Sequence, residues 1–203
     1  CSEWYFGLET NETEVPSCYM SNANVSVTMF SSTIGSLSNY GWYGSAWSIF
    51  NSSDVTMSPM ATATLCFYEP VDTETVVDVC LMENTCYKFG TSSGEYHFLT
   101  EWEVCGVAGG ELFTGDLCID ASGDCSLTCE SDASMIEVWD TTPDPSGSTI
   151  SSLFAVDAET SQWTNSVKLG GNNSYDGVKS MCLKKDRCYD LYTEIYSRNA
   201  FFS

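Results

Sequence analysis

The stretch Gly90-Thr-Ser-Ser-Gly94 is the first place in this chain where residue types and spacing could do chemistry. It fits the G-x-S-x-G pattern of serine hydrolases, with Ser92 as the nucleophile. Such a serine needs a strand before it, a helix after it and a distant histidine as general base. Here strand-forming residues follow Ser92, and the single histidine, His97, stands five residues further on. The stretch therefore predicts a hairpin turn, and we expect no catalytic residue and no enzyme activity.

A second candidate for chemistry is the acidic loop from Asp116 to Asp124. Its three carboxylates, on Asp116, Asp120 and Asp124, are oxygen ligands of the kind that Ca²⁺ takes. The spacing departs from the calcium-loop pattern D-x-D-x-D-G, and the closing glutamate of that pattern is missing. A solvated turn held by a disulfide is the simpler interpretation. We therefore expect no bound metal, and no cofactor beyond N-linked glycans.

The composition limits the partners of the chain. Its 203 residues include 28 acidic and 7 basic ones, for a formal charge of -21 that repels nucleic acids and anionic lipids. No apolar run reaches the roughly 18 residues that span a bilayer. Hydrophobic residues make up 43% of the chain, which is enough for a core. We expect a folded protein that binds no nucleic acid and inserts into no membrane.

Cysteines and glycosylation sequons indicate a secreted, extracellular protein. Eleven cysteines without any C-x-x-C pair predict disulfides made in an oxidising compartment rather than zinc ligands. Four Asn-x-Ser/Thr triplets predict N-glycosylation, at Asn11, Asn24, Asn51 and Asn172.

The most informative pattern is an internal repeat. The segment from Cys80 to Tyr87 matches the segment from Cys182 to Tyr189, with the same gap between the cysteines and the same Leu and Tyr beside them. Two further matches align Cys18 with Cys129 and Ser48-Ile49-Phe50 with Ser152-Leu153-Phe154. The chain is thus predicted to contain two copies of one unit.

The local patterns favour strands throughout. The runs "VSVTMF", "AWSIF", "ATATLCFYE", "TCYKF" and "EYHFLTEWEV" are rich in Val, Thr and aromatic residues and are bounded by turn formers. The segment "ISSLFAVDAETSQW" comes nearest to a helical period, but its repeat counterpart "AWSIF" favours a strand. We predict an all-β fold of two tandem β-sandwich, immunoglobulin-like repeats, 1–104 and 105–203, stapled by disulfides.

The second copy of the repeat stops early. The first copy continues through Trp102 to Cys105, whereas the second reaches Phe201, Phe202 and Ser203, where the matching cysteine should follow. Cys1 supplies such a cysteine at the other end of the sequence. The chain is therefore a cyclic permutation of two repeats, and the junction is either a peptide bond or an interface between two copies.

The repeat also suggests disulfide pairs. The expected pairs are Cys80 with Cys86, Cys182 with Cys188, Cys105 with Cys118, Cys1 with Cys18, and Cys125 with Cys129. Cys66 has no counterpart in the second copy, which predicts either a buried free thiol or a bond to another molecule. A pairing of Cys66 with Cys80 or with Cys86 is an alternative.

The pattern C-L-x4-C-Y-x-F, followed by Ser-Ser-Gly-x-Tyr and W-x-x-CGVAGG, resembles the Cys-rich tandem repeats of large secreted proteins from microalgae and related protists. Residues 80–110 carry the resemblance in full, and residues 182–196 carry it in part. After Tyr189 the second copy departs from the pattern, because it lacks the Gly-rich turn and the Trp. The resemblance implies an extracellular matrix, cell-surface or filament protein, and it carries over no catalytic residue.

These observations predict a structural subunit that assembles with itself, head to tail, into an extracellular filament or surface layer. In the expected mechanism, strand complementation, the N-terminal segment of one copy lies beside the C-terminal strand of its neighbour. The expected interface residues are Cys1, Trp4, Tyr5, Phe6, Phe201 and Phe202.

The rival hypothesis is a carbohydrate-binding or adhesive module. Trp4, Trp42, Tyr43 and Trp47 stand in a Gly- and Ser-rich setting and could stack on sugar rings if they were exposed. Core filling is the more usual role of Trp on alternating strands, so burial of Trp42 and Trp47 separates the two hypotheses.

Overall fold

The computed structural model describes residues 18, 22–30, 32–33, 39–40, 42, 44–52, 58–65, 74–94, 100–139, 149–169 and 178–197. Every regular element among these residues is a strand, so the predicted all-β fold is confirmed. No helix capable of crossing a membrane is found in this part of the chain.

Sixteen strands are described, and we divide them into two units. The first unit comprises β1 (Asn22–Phe30), β2 (Ser32–Thr33), β3 (Asn39–Tyr40), β4 (Trp47–Asn51), β5 (Pro59–Ala63), β6 (Glu74–Met82), β7 (Thr85–Thr91), β8 (Trp102–Val104), β9 (Val107–Gly109), β10 (Thr114–Ile119) and β11 (Cys125–Cys129). The second unit comprises β12 (Ala133–Val138), β13 (Thr149–Asp157), β14 (Trp163–Leu169), β15 (Lys179–Lys184) and β16 (Tyr189–Ser197).

Two layers enclose the core of the first unit. One layer consists of β6, β1 and β8, and the other is a five-stranded sheet in the order β11-β10-β7-β4-β5. On β1 the side chains of Val25, Val27 and Met29 face inward and are at most 2% exposed, because successive residues of a strand point to opposite faces. Between the layers, the rings of Phe89 and Trp102 meet edge to face at 4.8 Å.

The second unit repeats this arrangement with fewer strands. Its layers are a three-stranded sheet, in the order β14-β13-β16, and the pair β12-β15, which joins the large sheet through β9. Ala155, Val167 and Met181 form the small core between them. β10 and β11 lie beyond the predicted boundary at 104/105, yet they pair within the sheet of β7. By strand pairing, the passage between the units comes after Cys129, and the immunoglobulin-like topology of each unit stays a prediction.

The two copies of the repeated hairpin agree in backbone detail. Asn84 and Asp186 occupy the same turn position, and both have a positive φ, of 54° and 59°. Asn and Asp adopt this left-handed conformation more readily than other residues with a Cβ. In each copy the hydroxyl of the following tyrosine, Tyr87 or Tyr189, accepts a hydrogen bond from the backbone N–H two residues before the turn residue, at 3.0 and 2.9 Å.

The match between β4 and β13 is shifted from the predicted one by two residues. Both strands carry a register irregularity, between Ile49 and Phe50 in β4 and between Ala155 and Val156 in β13. Phe50 is therefore the counterpart of Val156, and its predicted match with Phe154 is wrong. The error preserves the inward and outward pattern, because side chains alternate with a period of two.

All five predicted disulfide pairs are wrong. The observed bonds join Cys18 to Cys80, Cys86 to Cys118, Cys105 to Cys125, and Cys129 to Cys182. The alternative pairings of Cys66 are also excluded, since Cys80 and Cys86 have other partners. Cys66 itself and Cys1 lie outside the described residues.

The predicted disulfide pairs are wrong because cysteines that are close in sequence lie in different layers or far apart on one strand. Cys80 lies near the end of β6 in one layer and Cys86 lies near the start of β7 in the other, and both side chains face outward, away from each other. Cys125 and Cys129 end one extended strand, about 13 Å apart, too far for a disulfide. The repeat is nevertheless respected by the bonds Cys18 to Cys80 and Cys129 to Cys182, which join matching positions of the two copies.

Candidate functional site

The outer edge of β16 is one of the strand edges that the described strands leave unpaired. Its counterpart in the first unit, β7, pairs with β4 on one side and with β10 on the other. Among the described strands, β16 pairs with β13 alone. An unpaired strand edge offers backbone donors and acceptors to another strand.

The inward face of β16 is exposed where that of β7 is buried. Leu191 lies directly opposite Ala155 of the second core, so it points toward the space between the layers. It is 60% exposed, whereas its counterpart Phe89 is 0% exposed. Ile195, on the same face of β16, is 74% exposed. The second unit therefore presents apolar core surface to solvent.

The first unit shows what is needed to cover this surface. Phe89 is covered by Trp102 of β8 and by Phe113, which leads into β10, with ring centroids 4.8 and 6.3 Å away. β1 pairs with both β6 and β8, whereas its counterpart β12 pairs with β15 alone in the described part of the chain. Among the described strands, the second unit thus lacks a counterpart for one strand beside β12 and for one beside β16.

Cys188 lies at the start of this edge as an exposed free thiol. Its counterpart Cys86 is bonded to Cys118 of β10. The predicted bond from Cys188 to Cys182 is absent because Cys182 is bonded to Cys129. We call the outer edge of β16, with Leu191, Ile195 and Cys188, the open edge.

A buried cluster of three charges joins the two units. The Glu101 carboxylate lies 3.1 Å from Nζ of Lys168 and 2.6 Å from Nζ of Lys179, and all three side chains are at most 2% exposed. Burial raises the pKa of Glu101, but the two ammonium groups outweigh burial and hold the pKa below its ordinary value. Burial lowers the pKa of Lys168, which Glu101 only partly offsets. The cluster ties β14 and β15 to the residue before β8.

A second buried carboxylate, Glu111, lies at the same junction without a basic partner in the described structure. It accepts hydrogen bonds from Gly94 N at 2.8 Å and Thr100 Oγ1 at 3.0 Å. Burial raises its pKa to about 7, although these hydrogen bonds oppose the shift. Its backbone carbonyl accepts a hydrogen bond from Ser166 N of the second unit.

Ser92, which fits the nucleophile position of the G-x-S-x-G pattern but was predicted to lie in a hairpin turn, makes structural hydrogen bonds. The Ser92 hydroxyl accepts a hydrogen bond from Ala46 N at 3.0 Å, and its carbonyl accepts one from the Ser45 hydroxyl at 2.7 Å. These bonds fasten the turn to the residues before β4. His97 lies outside the described residues.

The acidic loop is organised by its own hydrogen bonds. Asp116 forms an ion pair with Lys88 at 2.8 Å, so it is turned away from the other two carboxylates. Asp120 accepts hydrogen bonds from Ser122 and Asp124, and the bond from the Ser122 side chain contributes most to lowering its pKa. In the described part of the chain, no group of three metal-ligating residues could hold an ion.

The tryptophans proposed for sugar stacking are core residues. Trp42 and Trp47 are both 0% exposed, and the Trp42 indole donates a hydrogen bond to the Phe30 carbonyl at 3.2 Å. The rival hypothesis required Trp42 and Trp47 to be exposed, and their burial removes this support for it. Inward-facing positions on alternating strands bury large aromatic side chains. Trp4 and Tyr43 lie outside the described residues.

The other predicted site residues fall into two groups, those that the structure describes and those that lie outside the described residues. Asn24 has an exposed side chain on the outward face of β1, and Asn51 is partly buried at the end of β4. The remaining predicted glycosylation and interface residues fall outside the described residues: Asn11, Asn172, Cys1, Trp4, Tyr5, Phe6, Phe201 and Phe202.

An exposed aromatic groove lies on the outward face of the three-stranded sheet. Trp163 and Tyr192 are 49% and 54% exposed, and with Phe154 they line a groove of about 440 Å³. The Phe154 and Trp163 rings lie 4.9 Å apart. These positions have no aromatic counterparts in the first unit, where Ser48, Pro59 and Gly90 occupy matching sites.

Sequence reasoning missed Glu101, Lys168 and Lys179. The available indication was that two of only 7 basic residues sit in apolar strand sequences, "SVKLG" and "GVKSM". A charged residue in such a setting is either at an edge or paired in the interior.

Comparison with known proteins gives no relative from which to transfer a function. No protein-family model, curated protein or solved structure matches this chain. The function is therefore argued from the geometry of the open edge and from the internal repeat.

Proposed function

We propose that this protein is a structural subunit of a secreted, N-glycosylated extracellular filament or surface layer, assembled head to tail by strand complementation. The observation that carries the proposal is the contrast between Phe89, 0% exposed, and its counterpart Leu191, 60% exposed. Covering apolar surface contributes about 25 cal/mol per Å² buried, so the open edge favours a partner strand.

The order of elements supports residues 1–17 as the complementing segment. In the first unit, β8 to β11 complete the sandwich of the first copy and lead directly into Cys129, where the second copy begins. Residues 1–17 stand in the same relation to Cys18, the counterpart of Cys129. They are therefore the segment that completes a preceding copy, and Trp4, Tyr5 and Phe6 supply the apolar side chains that its open core requires.

This relation produces an open assembly. The proposed contact joins two different surfaces, the N-terminal segment of one molecule and the open edge of the next. Contacts of this heterologous kind continue indefinitely unless rotation closes a ring. A filament, or a layer of laterally packed filaments, is the resulting structure.

Secretion is supported by the four disulfides of the described residues, which are typical of extracellular proteins. The exposed side chain of Asn24 is accessible for a glycan. The resemblance to Cys-rich repeats of secreted protist proteins supports the same location.

The proposal is tested by replacing Ile195 with Asp, which places a carboxylate on the inward face of the open edge. We expect the wild-type chain to form linear oligomers, visible by electron microscopy and by light scattering, and Ile195→Asp to remain monomeric. The physical reason is that the complementing strand would have to bury an unpaired charge.

The matched control is Met60→Asp on β5, where Met60 is 46% exposed at the far edge of the five-stranded sheet. This variant should assemble as the wild type does. Deletion of residues 1–10 should also give monomers. Linear assembly by Ile195→Asp, or by the deletion variant, would show that strand complementation is not the mechanism.

Carbohydrate binding is the second candidate, favoured by the exposed groove of Trp163 and Tyr192. Aromatic faces of this kind stack on sugar rings. Quenching or enhancement of Trp fluorescence by oligosaccharides, lost in Trp163→Ala but kept in Trp139→Ala, would support it. Trp139 is a fair control because it is 67% exposed and lies elsewhere, at the end of β12.

A further inference from the structure

We infer that a polar cleft where the two units meet binds a neutral sugar, either free or at the end of a glycan. The cleft has a volume of about 360 Å³, within the range of about 300 to 1,000 Å³ for ligand sites. Its lining includes Leu112 and Thr114 of the first unit and Asn165, Lys184 and Tyr189 of the second. The inference goes beyond the proposed function, because it assigns a ligand site and does not depend on assembly.

The cleft contains a buried hydrogen-bond acceptor that is left open. Asn165 is 5% exposed, and its side-chain nitrogen donates hydrogen bonds to the carbonyls of Thr164 at 2.7 Å and Cys182 at 2.9 Å. In the described structure the side-chain oxygen of Asn165 accepts no hydrogen bond. A buried acceptor without a donor costs free energy, and a ligand hydroxyl in the cleft would supply that donor.

The polar lining is specific to the second unit. At three matching positions the first unit has Met60, Ala61 and Met82, and the second unit has Thr164, Asn165 and Lys184. The architecture that the two units share therefore does not require these polar side chains. Because all three line one cleft, ligand binding accounts for their presence.

The charges of the described lining are already paired. Each of its three carboxylates has a basic partner: Glu130 with Lys88 at 3.0 Å, Asp132 with Lys184 at 3.3 Å, and Asp157 with Arg187 at 3.6 Å. The cleft therefore offers an ionic ligand no unpaired charge in this part of the chain, and the formal charge of -21 also repels anions. A neutral ligand fits these conditions.

A sugar ring matches the remaining groups of the lining. Its hydroxyls both donate and accept hydrogen bonds, as do the side chains of Thr160 and Gln162 in the cleft. The C–H face of a sugar packs against an aromatic ring, which Tyr189 supplies. The Tyr189 hydroxyl accepts a hydrogen bond from Lys184 N at 2.9 Å, which holds the ring at the cleft.

Isothermal titration calorimetry on the full-length chain tests the inference. The probes are glucose, galactose, mannose and N-acetylglucosamine, each also as its methyl glycoside. We expect at least one of them to bind with a millimolar or lower Kd, since ligands this small bind weakly, and the charged analogues glucuronate and glucosamine to bind more weakly still. The tighter binder of a free sugar and its methyl glycoside, which mimics a chain end, identifies the source of the natural ligand.

Two substitutions, Asn165→Ala and Lys184→Met, give the cleft the residues of the first unit, so both suit the architecture that the units share. Each should weaken sugar binding by about three- to tenfold, the range for the loss of one hydrogen bond. One control is Lys185→Met, which changes an exposed lysine outside the described lining. The other is Trp163→Ala, in the aromatic groove. Both controls should bind the sugar as the wild type does.

Circular dichroism establishes that each variant is folded. If Asn165→Ala is not, Lys184→Met decides the question alone, because the Lys184 side chain is 64% exposed. The inference is overturned if no neutral sugar binds, if a folded cleft variant keeps wild-type affinity, or if the charged analogues bind equally well. Loss of binding in Trp163→Ala but not in the cleft variants would place the sugar in the aromatic groove and overturn it as well.

Discussion

Replacing Glu101 with Gln is expected to lower the free energy of unfolding by about 3 to 5 kcal/mol, the range for breaking a buried ion pair. The substitution is nearly isosteric, so packing is conserved and the effect isolates the charge. It removes the carboxylate that contacts both buried ammonium groups, those of Lys168 and Lys179. Denaturant unfolding at neutral pH, followed by Trp fluorescence, measures the change.

The matched control is Glu103→Gln, two residues along in β8, where the carboxylate is only partly buried. Substitutions of this kind usually change stability by less than about 0.5 kcal/mol. A second variant, Glu101→Gln with Lys168→Met and Lys179→Met, replaces the charged cluster by polar and apolar groups of similar size and should recover most of the loss. If Glu101→Gln costs no more than Glu103→Gln, the cluster does not hold the units together.

The pH range in which Glu101 stabilises the fold follows from the direction of its pKa shift. The pKa of Glu101 is lowered in the folded protein, so the carboxylate stabilises the fold at pH values above its ordinary pKa. That stability is lost as the pH falls through the lowered value. The junction between the units is therefore most secure when the carboxylate is charged.

The sequence was sufficient to predict features that depend on local periodicity. The run "VSVTMF" was predicted to be a strand, and it lies within β1, where Val25, Val27 and Met29 face inward. The repeated cysteine hairpin was recognisable because a two-residue turn with Asn84 or Asp186 constrains the chain within a few residues. Even the misaligned match of β4 with β13 kept the correct face.

Features that depend on which layer a strand joins could not be predicted in this way. The short spacing of Cys80 and Cys86 suggested a bond, but the chain changes layers between them. Such outcomes are decided by strand pairs that are distant in sequence, such as β1 with β6.

The candidate site was predicted in outline only. The sequence indicated that the second copy lacks a continuation, but it led to no prediction for Leu191, the counterpart of Phe89. The structure shows that Leu191 is exposed. The difference arises because burial of this residue requires a covering strand, which no property of the residue itself supplies.

The last prediction concerns Glu111, whose folded-state pKa is raised to about 7. A raised carboxyl pKa means that the folded state favours the protonated form. Its contribution to stability is therefore fully present below the ordinary pKa and is lost as the pH rises through about 7. The full loss amounts to about 3 kcal/mol, of which about 2 kcal/mol falls between about pH 5.5 and about pH 8.5.

Glu111→Gln removes this step, because the amide stays neutral and can still accept the hydrogen bonds from Gly94 and Thr100. We expect the free energy of unfolding, measured with urea, to decline between about pH 5.5 and about pH 8.5. This decline should be smaller in Glu111→Gln than in Glu137→Gln by about 2 kcal/mol. Glu137 is the matched control because it is an exposed carboxylate on β12. Equal declines in the two variants would mean that Glu111 does not titrate in this range. A smaller decline in Glu111→Gln would place the pH sensitivity at the junction, where the Glu111 carbonyl holds Ser166 of the second unit.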